Sequence, residues 1–274
     1  MRRHLMREFC PKAALFHYRE SRLTSANCED PQLRYLRLMR RKSTLNSALR
    51  RILRQTMREL FYNGMREENC GVLKSCALEK FNREFTRMLL NPDDEKIPYI
   101  LELDEPHLRL SELQKRAERA LLERAEKLEA GAFGQLLAVP VESRRRIAEV
   151  LSVTVNELCC YCAPLCAIEN SGMLWIIESG AGGEESSLLH RFFGYNVLGR
   201  DPQNIRSFVL DDFSGNLQEV GNPPQISVTL RKISGDAARW DELLKCDIDN
   251  APVNRENCSR CKFRPACPEG KGKI

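Results

Sequence analysis

Three cysteines in the last twenty residues have the spacing of metal ligands. Cys258, Cys261 and Cys267 form a C-x2-C-x5-C run within CSRCKFRPACP. Three thiolates cannot complete a four-coordinate site, so a fourth ligand must come from elsewhere. Cys10 is the best candidate, because Pro11 and a helix-like segment follow it and the N–H groups at a helix start favour a thiolate. The pattern predicts one four-cysteine metal site that joins the two ends of the chain.

Spacing alone does not identify the metal. Zinc and iron–sulfur clusters both accept four cysteine sulfurs, and unligated thiols in a flexible tail are the remaining alternative. The chain contains 12 cysteines. It has no long apolar run and no signal-peptide pattern at its start, so we expect a cytoplasmic protein without a membrane segment. In that reducing compartment, metal binding or burial explains cysteines better than disulfides do.

The Cys-Pro pair before a helix and the C-x2-C-x5-C run together resemble the RecB-like branch of the PD-(D/E)XK nuclease superfamily. The chain is similar in particular to its iron–sulfur members, the AddAB-type helicase-nuclease subunit and the CRISPR-adaptation exonucleases. The resemblance covers the N-terminal Cys-Pro helix and, more continuously, residues 150–274. It implies a restriction-endonuclease-like α/β fold, with a mixed central sheet flanked by helices, and a [4Fe-4S] cluster on the four cysteines.

The catalytic motif of that family is degenerate in this chain. Family members hold a divalent cation between two acids on neighbouring strands, and a lysine follows the second acid by two residues. Glu178 matches the second acid, but Leu165 stands in place of the first and Gly180 in place of the lysine. Because leucine cannot bind a cation, the resemblance implies weak or absent nuclease activity, with Mg²⁺ bound only if the protein is active.

Nearby residues could replace the missing groups or contact the substrate. The candidates for migrated catalytic residues are Glu157, Glu169, Glu184, Glu185 and His190, each of which is also explained as a solvent-exposed or helix-capping group. The substrate-contacting Gln-x-x-x-Tyr helix of the family matches Arg191 to Tyr195, where arginine can still contact phosphate. Cys159, Cys160, Cys162 and Cys166 could ligate a second metal. Since Cys160 and Cys162 share one face of a predicted strand, burial is the simpler explanation.

Positive charge is concentrated at the start of the chain. Residues 1–66 contain 16 Lys or Arg and 5 Asp or Glu, so this segment has a net charge of +11. Because the whole chain has a net charge of +5, the remaining residues are acidic on balance. This asymmetry predicts DNA contacts from arginines on amphipathic helices, namely Arg37, Arg41, Arg50 and Arg54. A solvated Arg-rich helical face is the alternative.

The elements that must position these residues change character along the chain. Apolar periodicity predicts helices within 31–62, 73–90 and 111–130, the last with a Ser111–Gln114 capping box. After Gly134 the pattern predicts strands within 153–168 and 173–179, a helix over 187–198, a hairpin over 205–220, a strand over 226–233 and a helix near 237–244. We expect an N-terminal Cys-Pro helix in 1–27, a helical insertion in 28–135, and the α/β core with its cluster tail in 136–274.

Three functional classes fit these observations. The first is a non-cleaving nuclease-fold protein that binds DNA, single-stranded DNA included, beside a helicase or another complex subunit in repair or defence. The second is an active metal-dependent DNA exonuclease with migrated catalytic residues. The third is a zinc-stapled interaction module without a nucleic-acid partner.

Overall fold

The computed structural model describes residues 10–20, 30–63, 71–92, 94, 97–104, 107–155, 158–180, 184–221, 226–264 and 267–268. Within these ranges the chain is α/β, as the sequence predicted. It divides into two compact units, one made of Met1–Leu45, Phe85–His107 and Ser234–Ile274 and the other of Asn46–Glu84 and Leu108–Ile233. No described helix is long and apolar enough to cross a membrane.

The first unit contains the two ends of the chain. It includes helices α1 (Pro11–Tyr18) and α2 (Pro31–Arg41) and a short parallel pair of strands, β1 (Lys42–Ser43) and β2 (Tyr99–Ile100). One apolar cluster joins these helices to the C-terminal segment, and its buried members are Cys10, Ala13, Phe16, Leu36, Met39, Phe263 and Cys267. The cysteine-bearing segments are therefore part of the hydrophobic core of this unit.

The helices of the second unit follow the predicted apolar periodicity. The first four are α3 (Leu45–Asn63), α4 (Val72–Leu90), α5 (Leu110–Ala130) and α6 (Ala132–Leu137), of which α3 starts and α4 ends in the first unit. The buried residues of α5 recur every three or four positions. The predicted capping box is wrong: α5 begins at Leu110, so Ser111 lies inside the first turn, and its N-cap residue Arg109 makes no side-chain cap.

The strands of the second unit form two sheets. Strands β3 (Leu151–Val155) and β4 (Leu158–Cys162) pair antiparallel. The other sheet has the order β5-β6-β7-β8, with β5 (Cys166–Asn170), β6 (Met173–Ser179), β7 (Ile205–Leu210) and β8 (Leu217–Val220). Helix α7 (Glu184–Leu198) connects β6 to the parallel strand β7, and β7 and β8 form the predicted antiparallel hairpin.

The predicted strand over 226–233 is wrong. The structure has one helix, α8 (Ile226–Lys245), that continues through this segment into the predicted helix near 237–244. The β-branched residues of the segment cost a helix little, and Gly235 costs about 1 kcal/mol relative to alanine, so neither ends it. Tertiary packing of the amphipathic helix outweighs the local strand preference.

Candidate metal centres

The four cysteines at the chain ends line one pocket in the first unit. Cys10, Cys258, Cys261 and Cys267 surround it, and the rest of its wall is Ala13, Phe16, Val253, Asn254, Asn257, Phe263 and Arg264. Cys10 and Cys267 are buried, and the other two are partly buried. The structure thus brings together the four residues that the sequence pattern selected.

Cys10 is held by the first turn of α1. It is the residue before the helix and has an extended backbone, with φ −168° and ψ 117°. Pro11 opens the helix, where no N–H donor is needed. The N–H of Lys12 donates to the Pro252 carbonyl oxygen at 3.1 Å, and its Nζ donates to the Asp249 carbonyl oxygen at 3.3 Å. These bonds tie Cys10 to the segment that precedes the C-x2-C pair.

Turns and one buried aromatic ring hold the C-terminal cysteines. The N–H of Cys261 donates to the Cys258 carbonyl oxygen at 3.2 Å, and the N–H of Cys267 donates to the Phe263 carbonyl oxygen at 3.1 Å. Phe263 is fully buried, and its ring centroid lies 5.9 Å from that of Phe16 on α1. The aromatic contact connects the two ends of the chain beside the thiols.

The electrostatics of the pocket oppose four free thiolates. Burial is the main reason why the pKa of Cys261 is raised to about 11. The N–H of Phe263 lowers this pKa, whereas the thiols of Cys10, Cys267 and Cys258 raise it. Four ionised thiols at this place therefore require a cation to compensate their charge, which a bound metal centre supplies.

The distances between the sulfur atoms bear on the kind of metal centre. In a mononuclear zinc site, Zn–S bonds of about 2.3 Å put tetrahedral sulfurs about 3.8 Å apart. Among the residues that the structure describes, the group with three ligand atoms within 4.8 Å of one another is Cys162, Glu178 and His190. The four cysteines of the pocket are not part of that group.

The nuclease-like motif lies on β5, β6 and the residues beside them. The ladder pairs Cys166 with Ile177, and the N–H of Leu165 donates to the Ile177 carbonyl oxygen at 2.6 Å, so Leu165 lies beside Glu178. Leu165 is fully buried. Gly180 has a φ of +94°, and its N–H donates to the Leu210 carbonyl oxygen at 2.9 Å. Where the nuclease motif has its first acid, this chain therefore has a buried apolar side chain, and where the motif has its lysine, the chain has a glycine.

Glu178 lies beside a cysteine and a histidine in the interior of the second unit. Cys162 of β4, Glu178 of β6 and His190 of α7 form a group that could hold a metal ion, and all three side chains are buried. His190 Nε2 lies 3.3 Å from Glu178 Oε1 and has no hydrogen-bond partner. His190 Nδ1 lies 3.0 Å from the Ser207 Oγ on β7.

The pKa of Glu178 is lowered from its ordinary value, and the pKa of Cys162 is raised. Burial would raise the pKa of Glu178, but the His190 ring and the Ser186 hydroxyl outweigh it, so this pKa is lowered. Burial raises the pKa of Cys162 to about 12, and the charge of Glu178 adds to the effect. The carboxylate is thus stable in the folded protein, whereas the thiol stays protonated at neutral pH without a metal.

Among the other candidates for migrated catalysis, the structure describes the side chain of Glu169 alone. Glu169, near the end of β5, pairs with Arg200 at 2.6 Å. Glu184 and Glu185 begin α7, but their side chains are not described, and Glu157 lies outside the described residues. His190 is the one member of that set that the described structure places beside Glu178.

Sequence reasoning named Cys162 as a possible ligand of a second metal but missed its neighbours Glu178 and His190. The alternation of β4 correctly places Cys162 on the buried face. Its neighbours come from β6 and α7, which are remote in sequence. The signal that could have found it is the combination of a cysteine with Glu178 and His190, three residues of ligand type.

The arginines predicted to contact DNA make bonds within their own units. On α2, Arg41 donates to the carbonyl oxygens of Asp94 and Ile97 at 2.6 and 3.2 Å, and Arg37 is partly buried. On α3, Arg50 Nε lies 2.8 Å from Asp212 Oδ2, and Arg54 donates to the Ala163 carbonyl oxygen at 3.0 Å. Part of their donor capacity is therefore used inside the protein.

The predicted substrate-contacting pair lies on α7. Arg191 donates to the Ile205 carbonyl oxygen at 3.3 Å, and burial lowers its pKa. Tyr195, one turn further along the helix, has 59% of its surface exposed. Tyr195 is thus available to a partner in this unit, whereas Arg191 is partly engaged.

Comparison of the chain with protein-family models, curated proteins and solved structures gave no match. The functional conclusions below therefore depend on the residues of this chain and their geometry.

Proposed function

We propose that the protein is a RecB-like nuclease-fold protein that holds a [4Fe-4S] cluster on Cys10, Cys258, Cys261 and Cys267 and binds DNA without cleaving it. The observation that carries the proposal is the single pocket that these cysteines line in the first unit. Four cysteine thiolates are the ligand set of a [4Fe-4S] cluster. The cluster would hold the N-terminal helix against the C-terminal segment.

One feature favours an iron–sulfur cluster over zinc. The spacing of the cysteines resembles that of iron–sulfur nucleases. One zinc and no iron in the purified protein would instead make it a zinc-stapled interaction module.

The absence of cleavage follows from the degenerate motif. A two-acid Mg²⁺ site needs several oxygen ligands, and Leu165 offers none beside Glu178. Gly180 supplies no amine to orient water. DNA binding is supported by the charge of residues 1–66 and by exposed Tyr195 on α7, since aromatic rings stack on unpaired bases.

The second candidate is an active metal-dependent exonuclease. The observation that favours it is His190, which stands beside Glu178 and could replace a missing ligand. Mg²⁺- or Mn²⁺-dependent digestion of single-stranded DNA that Glu178→Ala abolishes would establish this candidate and overturn the non-cleaving proposal.

The test begins with anaerobically purified protein. We expect about four irons and four sulfides per chain, a broad absorption shoulder in the visible range, and loss of both in Cys10→Ser. Cys246→Ser, in the same unit but outside the pocket, is the matched control and should retain iron. Filter binding with single-stranded DNA should show affinity that falls steeply with salt. A salt-independent or undetectable affinity would refute DNA binding while leaving the cluster intact.

A further inference from the structure

Three side chains of different elements converge in the interior of the second unit. Cys162, Glu178 and His190 place their ligand atoms within 4.8 Å of one another, and they are 7%, 8% and 1% exposed. We propose that they form a second metal site, for Zn²⁺ or a similar transition-metal ion, independent of the four-cysteine pocket. The inference depends neither on the cluster nor on DNA binding.

His190 is oriented as a metal ligand. A metal-bound histidine usually donates its other ring N–H to an oxygen acceptor, which fixes the tautomer and the ring orientation. Ser207 Oγ, 3.0 Å from Nδ1, can serve as such an acceptor. With the proton on Nδ1, Nε2 presents a lone pair to the carboxylate of Glu178 at 3.3 Å and has no hydrogen-bond partner. In this tautomer the two acceptor atoms face each other, and a cation bound by both would satisfy them.

The chemistry of the three donors selects the ion. Mg²⁺ prefers oxygen ligands in near-octahedral geometry, and this group offers one carboxylate. A thiolate, an imidazole and a carboxylate together suit Zn²⁺ and its neighbours. Three protein ligands leave a fourth position of a tetrahedral ion for water, as in catalytic zinc sites. The site differs in residues and in ion class from the two-acid Mg²⁺ site that the resemblance implies.

Strand β4 supplies a matched control for the cysteine ligand. Cys160 lies on the same strand and the same face as Cys162, two residues before it, but outside the metal-ligand group. Cys160→Ser therefore removes a thiol from the same neighbourhood and leaves the proposed ligands in place.

The experiment counts Co²⁺ bound by the purified full chain, by equilibrium dialysis and ligand-field absorption. We expect the wild type and Cys160→Ser to bind one equivalent more than His190→Gln or Glu178→Gln. The thiolate-to-cobalt charge-transfer band of this equivalent should be lost in Cys162→Ser. An excess of Mg²⁺ should not displace the ion. Equal Co²⁺ stoichiometry in the wild type and in His190→Gln overturns the proposal and leaves His190 and Glu178 as an ion pair.

A second variant keeps the test decisive if a ligand variant fails to fold. Ser207→Ala removes no ligand but removes the acceptor for Nδ1, so it should weaken Co²⁺ binding by about 10- to 100-fold. Unchanged affinity in Ser207→Ala contradicts the proposed role of His190. Iron content measured in parallel separates the two centres, because it reports on the four-cysteine pocket alone.

Discussion

His190 Nε2 lies 3.3 Å from Glu178 Oε1 in the interior of the second unit, and this contact connects α7 to β6. Both side chains are nearly inaccessible to water, and each has a serine beside it, Ser207 beside the ring and Ser186 beside the carboxylate. A charge buried at this depth is tolerated only when it is paired. The stability of this part of the unit therefore depends on the protonation of Glu178.

We expect acid to destabilise the protein through Glu178. Its pKa is lower in the folded protein than its ordinary value, so the carboxylate contributes stability that is complete above about pH 4.3 and is lost as the pH falls through the folded-state pKa. Urea unfolding from pH 7 down to about pH 3 should show the wild type losing stability more steeply than Glu178→Gln. At neutral pH, Glu178→Gln should be less stable by about 1–3 kcal/mol.

Glu169→Gln is the control for this pH dependence. Glu169 pairs with Arg200 at the surface, where both side chains are more than a third exposed, so its loss should change little. Identical pH profiles for the wild type and Glu178→Gln would show that the buried carboxylate is not linked to folding.

Removal of Cys10 should cost both metal and stability. The free energy of binding at a structural metal site is also folding free energy, so Cys10→Ser should lose metal and more than about 3 kcal/mol of stability. Metal analysis and thermal unfolding followed by circular dichroism measure the two effects. Cys246→Ser should resemble the wild type in both. Retention of full metal content and thermal stability in Cys10→Ser would exclude Cys10 as a ligand.

Arg58 on α3 should be irreplaceable by lysine. Its guanidinium donates to the carbonyl oxygens of Pro164 and Leu165 at 3.2 and 3.0 Å and also bonds that of Ile147. One ammonium group cannot reproduce this planar fork, so Arg58→Lys should destabilise the protein by about 1–3 kcal/mol in urea unfolding. Arg83→Lys, at an exposed position of α4, should stay within about 0.5 kcal/mol of the wild type. Equal losses in both variants would refute a specific role for the fork.

The cysteine pocket could be predicted because its information is local. The C-x2-C-x5-C spacing identified Cys258, Cys261 and Cys267, and the Cys-Pro pair at a helix start identified Cys10. The strands of the four-stranded sheet were also predicted, because period-two alternation and the Ser214–Asn216 turn are short-range signals.

The second group of ligands could not be predicted in the same way. Cys162, Glu178 and His190 meet only after β4, β6 and α7 pack, and no spacing rule relates three such elements. The arginine-rich helices show a similar limit. Their charge predicted polyanion contacts, but the sequence does not reveal that Arg41 and Arg54 bond loop carbonyls of their own units. The strand over 226–233 failed because β propensity is weak against the packing of a long amphipathic helix.

Gly180 should resist restoration of the missing lysine. Its φ of +94° is a conformation that L-residues rarely adopt, although no atom lies within 4 Å of where a Cβ would stand. The cost of Gly180→Lys is therefore backbone strain rather than a clash, about 1–2 kcal/mol in urea unfolding. Gly221→Lys, which also has open space but no positive φ, should cost less than about 0.5 kcal/mol.

Gly180→Lys also tests the interpretation that the motif does not support cleavage. Because Leu165 still offers no second carboxylate, Gly180→Lys should not gain Mg²⁺-dependent cleavage of single-stranded DNA. Cleavage by Gly180→Lys, absent from the wild type and from Gly221→Lys, would show that the lysine was the one missing group and that Glu178 with His190 already holds a catalytic cation. That outcome would favour the exonuclease over the non-cleaving protein, because a single restored amine would then have completed an active site.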